Sequence, residues 1–378
     1  MVEVAGHRRS ASCLETERGG NGTEVKLIQS QWGFFFEFIF HSSGPRFPNV
    51  PPDPSAPQSS MFLSRSRQSR ALSAFDHASR RWSAIPLRNS YDPIISRLSS
   101  HPADAHAIGK QTLSLTSWNI QAYLSRRVAR TQLILDRILK GPKVPDIILL
   151  QEVSSSIRQL LLSDPRIRSS FLTTDAEDDT SDKGVPFATM TLLSSKRFGS
   201  PLLAEEDNGE GASKIVLDSV FRTRLTSRYK RDALCVNIAA PGVPGSILRL
   251  LNVHLDPFDS QFIRFLQMDV LAGLLREPGC SGGIIAGDFN AVYPRDHKLI
   301  DEHELVDAWV ALHGPDGGAT WGHWGVPVEI EDEFEPGRLD KVVMLGLQPV
   351  EVDVLPPGLI GACTHWSEHC GLRCTFTI

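Results

Sequence analysis

Ile284-Ile285-Ala286-Gly287-Asp288-Phe289-Asn290 decides how this chain is read. The apolar run has the look of a strand buried on both faces. Its end delivers a carboxylate and a carboxamide. Asp288 and Asn290 are two apart, so an extended chain would put both side chains on one face. Such a pair suits phosphate-ester hydrolysis, one group taking a proton while the other orients water or donates to an anion. Gly-Asp-x-Asn is also an ordinary turn composition, so its meaning depends on what accompanies it.

Five more polar clusters sit at the ends or starts of apolar or β-branched runs. Leu113-Ser114-Leu115-Thr116-Ser117-Trp118 leads to Asn119, and Ile147-Ile148-Leu149-Leu150 to Gln151-Glu152. Leu248-Arg249-Leu250-Leu251-Asn252-Val253 leads to His254, and Arg338-Leu339-Asp340 opens onto Lys341-Val342-Val343-Met344. Ser367-Glu368-His369 precedes Leu372-Arg373-Cys374-Thr375-Phe376. Strand ends are where a rigid scaffold places reactive groups. Residues 128–139, 157–162 and 261–276 show helical spacing of apolar residues, as in Phe262, Phe265, Leu266, Val270 and Leu274. Strands interspersed with helices indicate a mixed α/β class.

This ordered set resembles the endonuclease/exonuclease/phosphatase superfamily over roughly residues 111–378. Val253-His254-Leu255, Asp307-Ala308-Trp309, Thr320-Trp321 and Glu368-His369-Cys370-Gly371-Leu372 resemble its tyrosyl-DNA phosphodiesterase 2 branch. The resemblance implies two packed mixed β-sheets flanked by helices, a four-layer αββα sandwich. It also implies a Mg²⁺-dependent phosphodiesterase, with Mn²⁺ as the alternative cation, acting at nucleic-acid ends and on a 5′-tyrosyl-DNA linkage among them.

By the same resemblance Glu152 is the main Mg²⁺ ligand, which fits a cation that accepts one or two carboxylates and keeps its waters. Glu368 is the second metal ligand that the resemblance implies. Asn119 positions the metal or the phosphate, and Asp288 is the general base. Asn290 holds the attacking water or a phosphate oxygen. His369 donates to the non-bridging oxygens, Asp340 supports its charged form, and His254 contacts the scissile phosphate or leaving oxygen. Each has an ordinary alternative: a salt bridge for Glu152, pairing with Arg338 or Lys341 for Asp340, turns and caps for Asn119, Asp288 and Asn290. Arg231 and Arg338 are within the chemistry of phosphate binding, though Arg231 in Lys230-Arg231-Asp232 reads first as solvated surface charge. Trp309 reads as core, and Trp321 as a base-stacking or core residue. The family usually has Asp where Glu368 stands, and an offset near 1 Å can cost on the order of a hundredfold in rate.

Composition splits the 378 residues near residue 110. Residues 1–110 carry 13 Lys and Arg against 9 Asp and Glu, leaving 26 against 35 in residues 111–378. The first part, rich in Ser, Pro and Arg, reads as a mostly disordered basic leader, and the second as the catalytic domain. Phe34-Phe35-Phe36-Glu37-Phe38-Ile39-Phe40 is too short and too charged to span a bilayer. Arg65 to Arg88 suits a solvated linker, an anionic partner, or an organellar presequence if translation began at Met61. Asp175 to Asp182 and Glu205 to Gly211 read as acidic surface loops. Six scattered cysteines form no disulfide framework. The cluster Cys363, His365, His369, Cys370 and Cys374 lacks a CxxC pair, so core cysteines are the reading favoured over zinc. An intracellular location follows, nuclear or cytoplasmic, with the mitochondrion as the alternative. Oligomeric state is not legible. The acidic catalytic part does not advertise a DNA surface, which keeps open a phosphatase or lipid phosphodiesterase, and Glu368 keeps open a weakened binding protein.

Overall fold

The computed structural model describes residues 67–87, 111–141, 143–177, 186–200, 214–322, 336–361 and 364–378. The remaining leader, residues 178–182 of the first acidic loop, all of Glu205 to Gly211, and Cys363 lie outside the described residues.

The strands β1 (Arg67–Ser69), β2 (Leu72–Asp76), β3 (Arg81–Ala84), β4 (Thr112–Asn119) and β5 (Ile147–Val153) come first. Helix α1 (Arg127–Leu139) joins β4 to β5, and α2 (Ser155–Ser163) and α3 (Pro165–Ser170) follow. Next are β6 (Phe171–Thr174), β7 (Ala188–Ser194), β8 (Phe198–Gly199), β9 (Ile215–Arg224), β10 (Asp232–Ala239) and β11 (Ile247–His254). Helix α4 (Gln261–Leu275) leads to β12 (Cys280–Asp288), then α5 (Pro294–Glu302), β13 (Val306–Asp307), α6 (Ala308–His313) and β14 (Asp340–Leu345). The chain closes with β15 (Gln348–Leu355), the short pair β16 (Leu359–Ile360) and β17 (Thr364–His365), and β18 (Gly371–Thr377). One sheet has the order β1-β9-β10-β11-β12-β14-β13, with β8 beside β9; the other runs β15-β18-β4-β5-β7-β6-β2-β3.

Side-chain alternation sorts these strands into layers. Leu113, Leu115, Ile147 and Leu149 share a core with Leu250, Ile284, Val342 and Met344, between the sheets. Their neighbours point outward: Leu251, Val253, Ile285 and Val343 meet Met268 and Leu271 of α4, and Ile148 and Leu150 meet Ile134 and Ile138 of α1 and Ile157 of α2. The result is the expected αββα sandwich, with helices at Arg127–Leu139, Ser155–Ser163 and Gln261–Leu275 where the periodicity predicts them.

The same alternation fixes the site. Counting by twos from the inter-sheet core residues, Asn119, Gln151, Asn252, His254, Asp288 and Asp340 fall on inner faces. Apart from the short β8–β9 pair, two pairs of strands among the described residues are parallel, β4 with β5 and β11 with β12. Each pair is joined by a crossover helix, α1 or α4, as parallel neighbours require. The carboxyl ends of β4 and β12 meet, with Asn119 Nδ2 2.9 Å from Asp288 Oδ2, and ligands in open α/β sheets bind beyond such ends.

Gly287 lets β12 approach β11. Its φ is 142°, and a Cβ there would lie 1.9 Å from the Val253 carbonyl oxygen. Gly287→Ala should lose about 2–5 kcal/mol of stability and part Asp288 from His254. A lowered thermal midpoint together with lost activity checks this; a native-like midpoint would contradict it.

The boundary read near residue 110 needs correction. β1 pairs with β9, β2 with β6, and β3 with β2. Leu72 is fully buried, Arg67 pairs with Glu277 and lies 4.6 Å over the Phe221 ring, and Trp82 donates to the Leu162 carbonyl at 3.0 Å. Part of the presumed leader thus completes both sheets, in one compact unit that begins at Arg65.

Candidate active site

His254, Asp288 and Asp340 lie side by side across β11, β12 and β14, paired in register. Facing them from the other sheet, Asn119 ends β4 opposite Gln151 of β5. One amide ties the sheets together here: Asn119 Nδ2 donates to Asp288 Oδ2 at 2.9 Å and to Glu152 Oε1 at 3.2 Å. Below it, Gln151 Nε2 donates to Asn252 Oδ1 at 2.9 Å, and Asn252 Nδ2 donates to the Met190 carbonyl at 3.0 Å. These buried amides fix the distance between the sheets where the reactive groups meet.

Glu152 occupies a left-handed conformation, φ 59°, where the β5–β7 register shifts between Leu150 and Val153. A bulge of this kind re-aims a side chain, and a non-glycine residue with such a φ costs of order 1–3 kcal/mol. The redirected carboxylate is buried, and its Oε2 has no hydrogen-bond partner. Burial pushes its pKa up to about 7, against the opposing pull of Asn119, His369 and Arg231. A buried, half-satisfied carboxylate held at a strained position is a fit for a cation.

Asp288 Oδ1 accepts the Asn290 N–H at 2.8 Å, and Asp288 Oδ2 also faces His254 Nε2 at 3.3 Å. Burial, with the Asp340 charge adding to it, raises the Asp288 carboxyl. Asn290 departs from the extended-chain expectation. It lies past the strand end at φ 48°, and its Nδ2 donates to the Leu255 carbonyl at 2.9 Å. It shapes the turn that holds Asp288.

Asp340 does not pair with Arg338 or Lys341. Both of those bond Asp307, at 3.1 and 3.3 Å, while Asp340 Oδ2 sits 2.9 Å from His369 Nδ1. On the other side His369 Nε2 is 3.8 Å from Asp288 Oδ2. Burial alone would lower the His369 pKa, but Asp340 and Asp288 outweigh it and push it up to about 10. The ligand atoms of Asp288, Asp340 and His369 lie within 4.8 Å of one another, a spacing a metal could use. A histidine flanked by two carboxylates keeps its proton, however, and is then able to donate. His254 behaves oppositely: burial, Arg231 and His369 drive its pKa well below 6.5, so it is neutral.

Arg231 is not solvated surface charge. Its Nη2 is 3.2 Å from His254 Nε2, and its guanidinium lies 5.5 Å over Phe187 and 5.8 Å over Tyr229. Asp256 holds this loop by accepting from Ser227 Oγ at 2.5 Å and Arg228 N at 2.8 Å. Arg338 binds Asp307 and stays out of the site. Trp321 is half-buried and bridges to His369 through the backbone. Trp309 packs against the inter-sheet core. Cys370 and Cys374 are buried free thiols, with burial raising both, as the core reading expects.

Glu368 is half-buried and is engaged by Gln121, which sequence reasoning did not single out. Gln151, Asn252 and Asp256 were missed as supports as well. The signal available for Gln151 and Asn252 was their even spacing with inner-face residues.

Residues 116–358 match the model of the endonuclease/exonuclease/phosphatase family. The chain belongs to this family. Membership makes it a phosphoesterase or nuclease, a hydrolase. TDP2 from Caenorhabditis elegans is 21% identical with a TM-score of 0.52, over 71% of this chain and 75% of that one. D. rerio TDP2 complexed with single strand DNA product is 20% identical with a TM-score of 0.53, over 70% and 99%. The endonuclease/exonuclease/phosphatase from Bacteroides vulgatus is 16% identical with a TM-score of 0.50, over 71% and 99%. At these identities the likeness concerns the fold. No curated protein matches the sequence. Among the described residues, no helix of this family member is long and apolar enough to cross a membrane.

Proposed function

We propose that this chain is a Mg²⁺-dependent phosphodiesterase acting at nucleic-acid ends, with 5′-tyrosyl-DNA as a substrate. The carrying observation is the unpartnered Oε2 of buried Glu152, beside an Asp288 raised above its ordinary range. Glu152 would hold the cation, and Mn²⁺ would serve in its place. When bound, the cation supplies Lewis-acid polarisation of a phosphoryl oxygen. Asp288 takes the proton of the attacking water, and Asn119 keeps Asp288 and Glu152 in one geometry. Protonated His369, steadied by Asp340, donates to the non-bridging oxygens as their charge grows. Neutral His254 contacts the phosphate from the β11 side.

The substrate class rests on the rim. Exposed Arg228 and Lys230 flank Tyr229 on the loop that leads to Arg231 beside His254, with Arg228 3.5 Å from Asp259, and exposed Arg224 ends β9 just before this loop. A basic and aromatic edge suits a nucleic-acid strand better than a lipid surface, despite the acidic total. The D. rerio TDP2 structure with single-stranded DNA points the same way. A comparison of kcat/KM for a 5′-phosphotyrosyl oligonucleotide and a soluble inositol phosphate tests this. Preference for the oligonucleotide supports the reading, and preference for the inositol ester overturns it.

Glu152→Gln should leave the metal-free fold at least as stable, since an unpaired buried carboxylate is removed. It should also abolish most of the Mg²⁺-induced rise in thermal midpoint, a linkage effect of binding to the folded state. An undiminished rise would place the cation elsewhere.

A further inference from the structure

Glu368 has one methylene more than the aspartate the family usually carries there, and the structure shows what that longer side chain meets. Gln121 Nε2 donates to Glu368 Oε2 at 2.9 Å, and Gln121 Oε1 accepts the Glu368 backbone N–H at 2.6 Å. Both halves of one amide are thus used on one residue, 247 positions away in sequence. Ser367 Oγ also reaches Gln121 Oε1, at 3.4 Å.

Gln121 is itself held on every side. It is buried and left-handed, φ 44°, a conformation that persists only when its surroundings impose it. Its N–H donates to Asn119 Oδ1 at 3.0 Å, and its carbonyl accepts from Arg130 Nη1 at 3.0 Å. Arg130 is fully buried in α1 and donates through Nε to the His365 carbonyl at 3.3 Å. The same Asn119 carries the bonds to Glu152 and Asp288. Gln121 therefore links the segment bearing Glu368 to the group that sets Glu152. Burial, with the charges of Glu152 and Glu368 adding to it, raises Tyr123.

We propose that Gln121 is a positioning residue, a clamp that fixes the longer Glu368 carboxylate so that it supports the cation held by Glu152. This rests on the divalent-cation reading above. A free glutamate loses rotamer entropy when it is ordered; a side chain already tied by two bonds has largely met that cost before the cation arrives. Partners of this kind typically change metal affinity 10–100-fold when removed.

The test is calorimetric titration of Mn²⁺ into the full chain without substrate. Gln121→Leu keeps the bulk and removes both bonds, and should weaken Mn²⁺ binding about tenfold. Glu368→Asp, at a half-buried position that tolerates the change, withdraws the carboxylate from the amide; it should weaken binding as well, despite restoring the family's usual residue. In a Glu368→Ala background, Gln121→Leu should have a much smaller effect, because only the bond to the backbone N–H of residue 368 and the Ser367 contact remain to be lost. Equal affinity in native, Gln121→Leu and Glu368→Asp proteins overturns the clamp while leaving the cation reading intact. So does a Gln121→Leu loss that persists undiminished in the Glu368→Ala background. If Gln121→Leu does not fold, tighter binding by Glu368→Asp overturns the clamp by itself. A native chain that takes up no Mn²⁺ overturns both readings.

Discussion

Asp288→Asn is expected to lower kcat for phosphodiester cleavage by about 10³-fold, within the range general bases contribute, with the protein still folded. The side chain is almost the same shape, and its oxygen can still accept the Asn290 N–H that Asp288 Oδ1 accepts at 2.8 Å. The new NH₂ would then face the Asn119 amide, now 2.9 Å from Asp288 Oδ2, and set donor against donor. If Asn119 turned over to accept, Glu152 would lose its one hydrogen bond from that amide. The mismatch should cost about 1–3 kcal/mol of stability. Removal of a charge that burial opposes partly offsets that loss. Single-turnover kinetics beside a thermal melt separate the two effects. Retention of more than a tenth of native kcat would mean that another group takes the proton.

The second large effect concerns His369. His369→Ala should cost about 10²–10³-fold in kcat, the usual penalty for losing a preorganised donor to a developing oxyanion. The sharper experiment is Asp340→Asn followed over pH. The native imidazole, pushed up to about 10, stays charged through neutrality. Native activity should therefore hold until the pH approaches 10 and fall above it. Without the Asp340 charge, burial favours the neutral ring, and the fall should begin well below 10. Stability follows the same sign. A folded pKa above the ordinary 6.5 gives a contribution complete below 6.5 and lost as pH rises towards 10. Asp340→Asn should flatten that alkaline loss. A basic limb that stays at the native position in Asp340→Asn would assign it to another group.

The sandwich was legible because its central strands are continuous apolar runs interrupted by polar ends. Ile147–Val153 is buried throughout, and from Gly282 so is the rest of β12. Asn119, His254, Asp288 and Asp340 meet at strand ends as their clusters suggested, since strand ends and alternation are local properties of sequence. His369 lies beside them, and Glu152 is turned towards them by the bulge at φ 59°.

What escaped notice depends on contacts distant in the chain. Arg231 looks solvated among Arg228, Tyr229 and Lys230, and only Asp256, holding that loop, places it against His254. Gln121 has no role until Glu368 arrives beside it. β1 to β3 carry too few apolar residues to announce themselves: Leu72 is buried by partners such as β6, 100 residues on. Asn290 illustrates the opposite error. Its two-residue spacing from Asp288 suggested a shared strand face, but the strand ends at Asp288 and the backbone turns left-handed.

The most direct test of the account is release of tyrosine from a 5′-phosphotyrosyl oligonucleotide by the full chain, in Mg²⁺ and in EDTA, with Asp288→Asn in parallel. The account predicts release in Mg²⁺, none in EDTA, and little from the variant. Equal release in EDTA, or native-like release by Asp288→Asn, would contradict it.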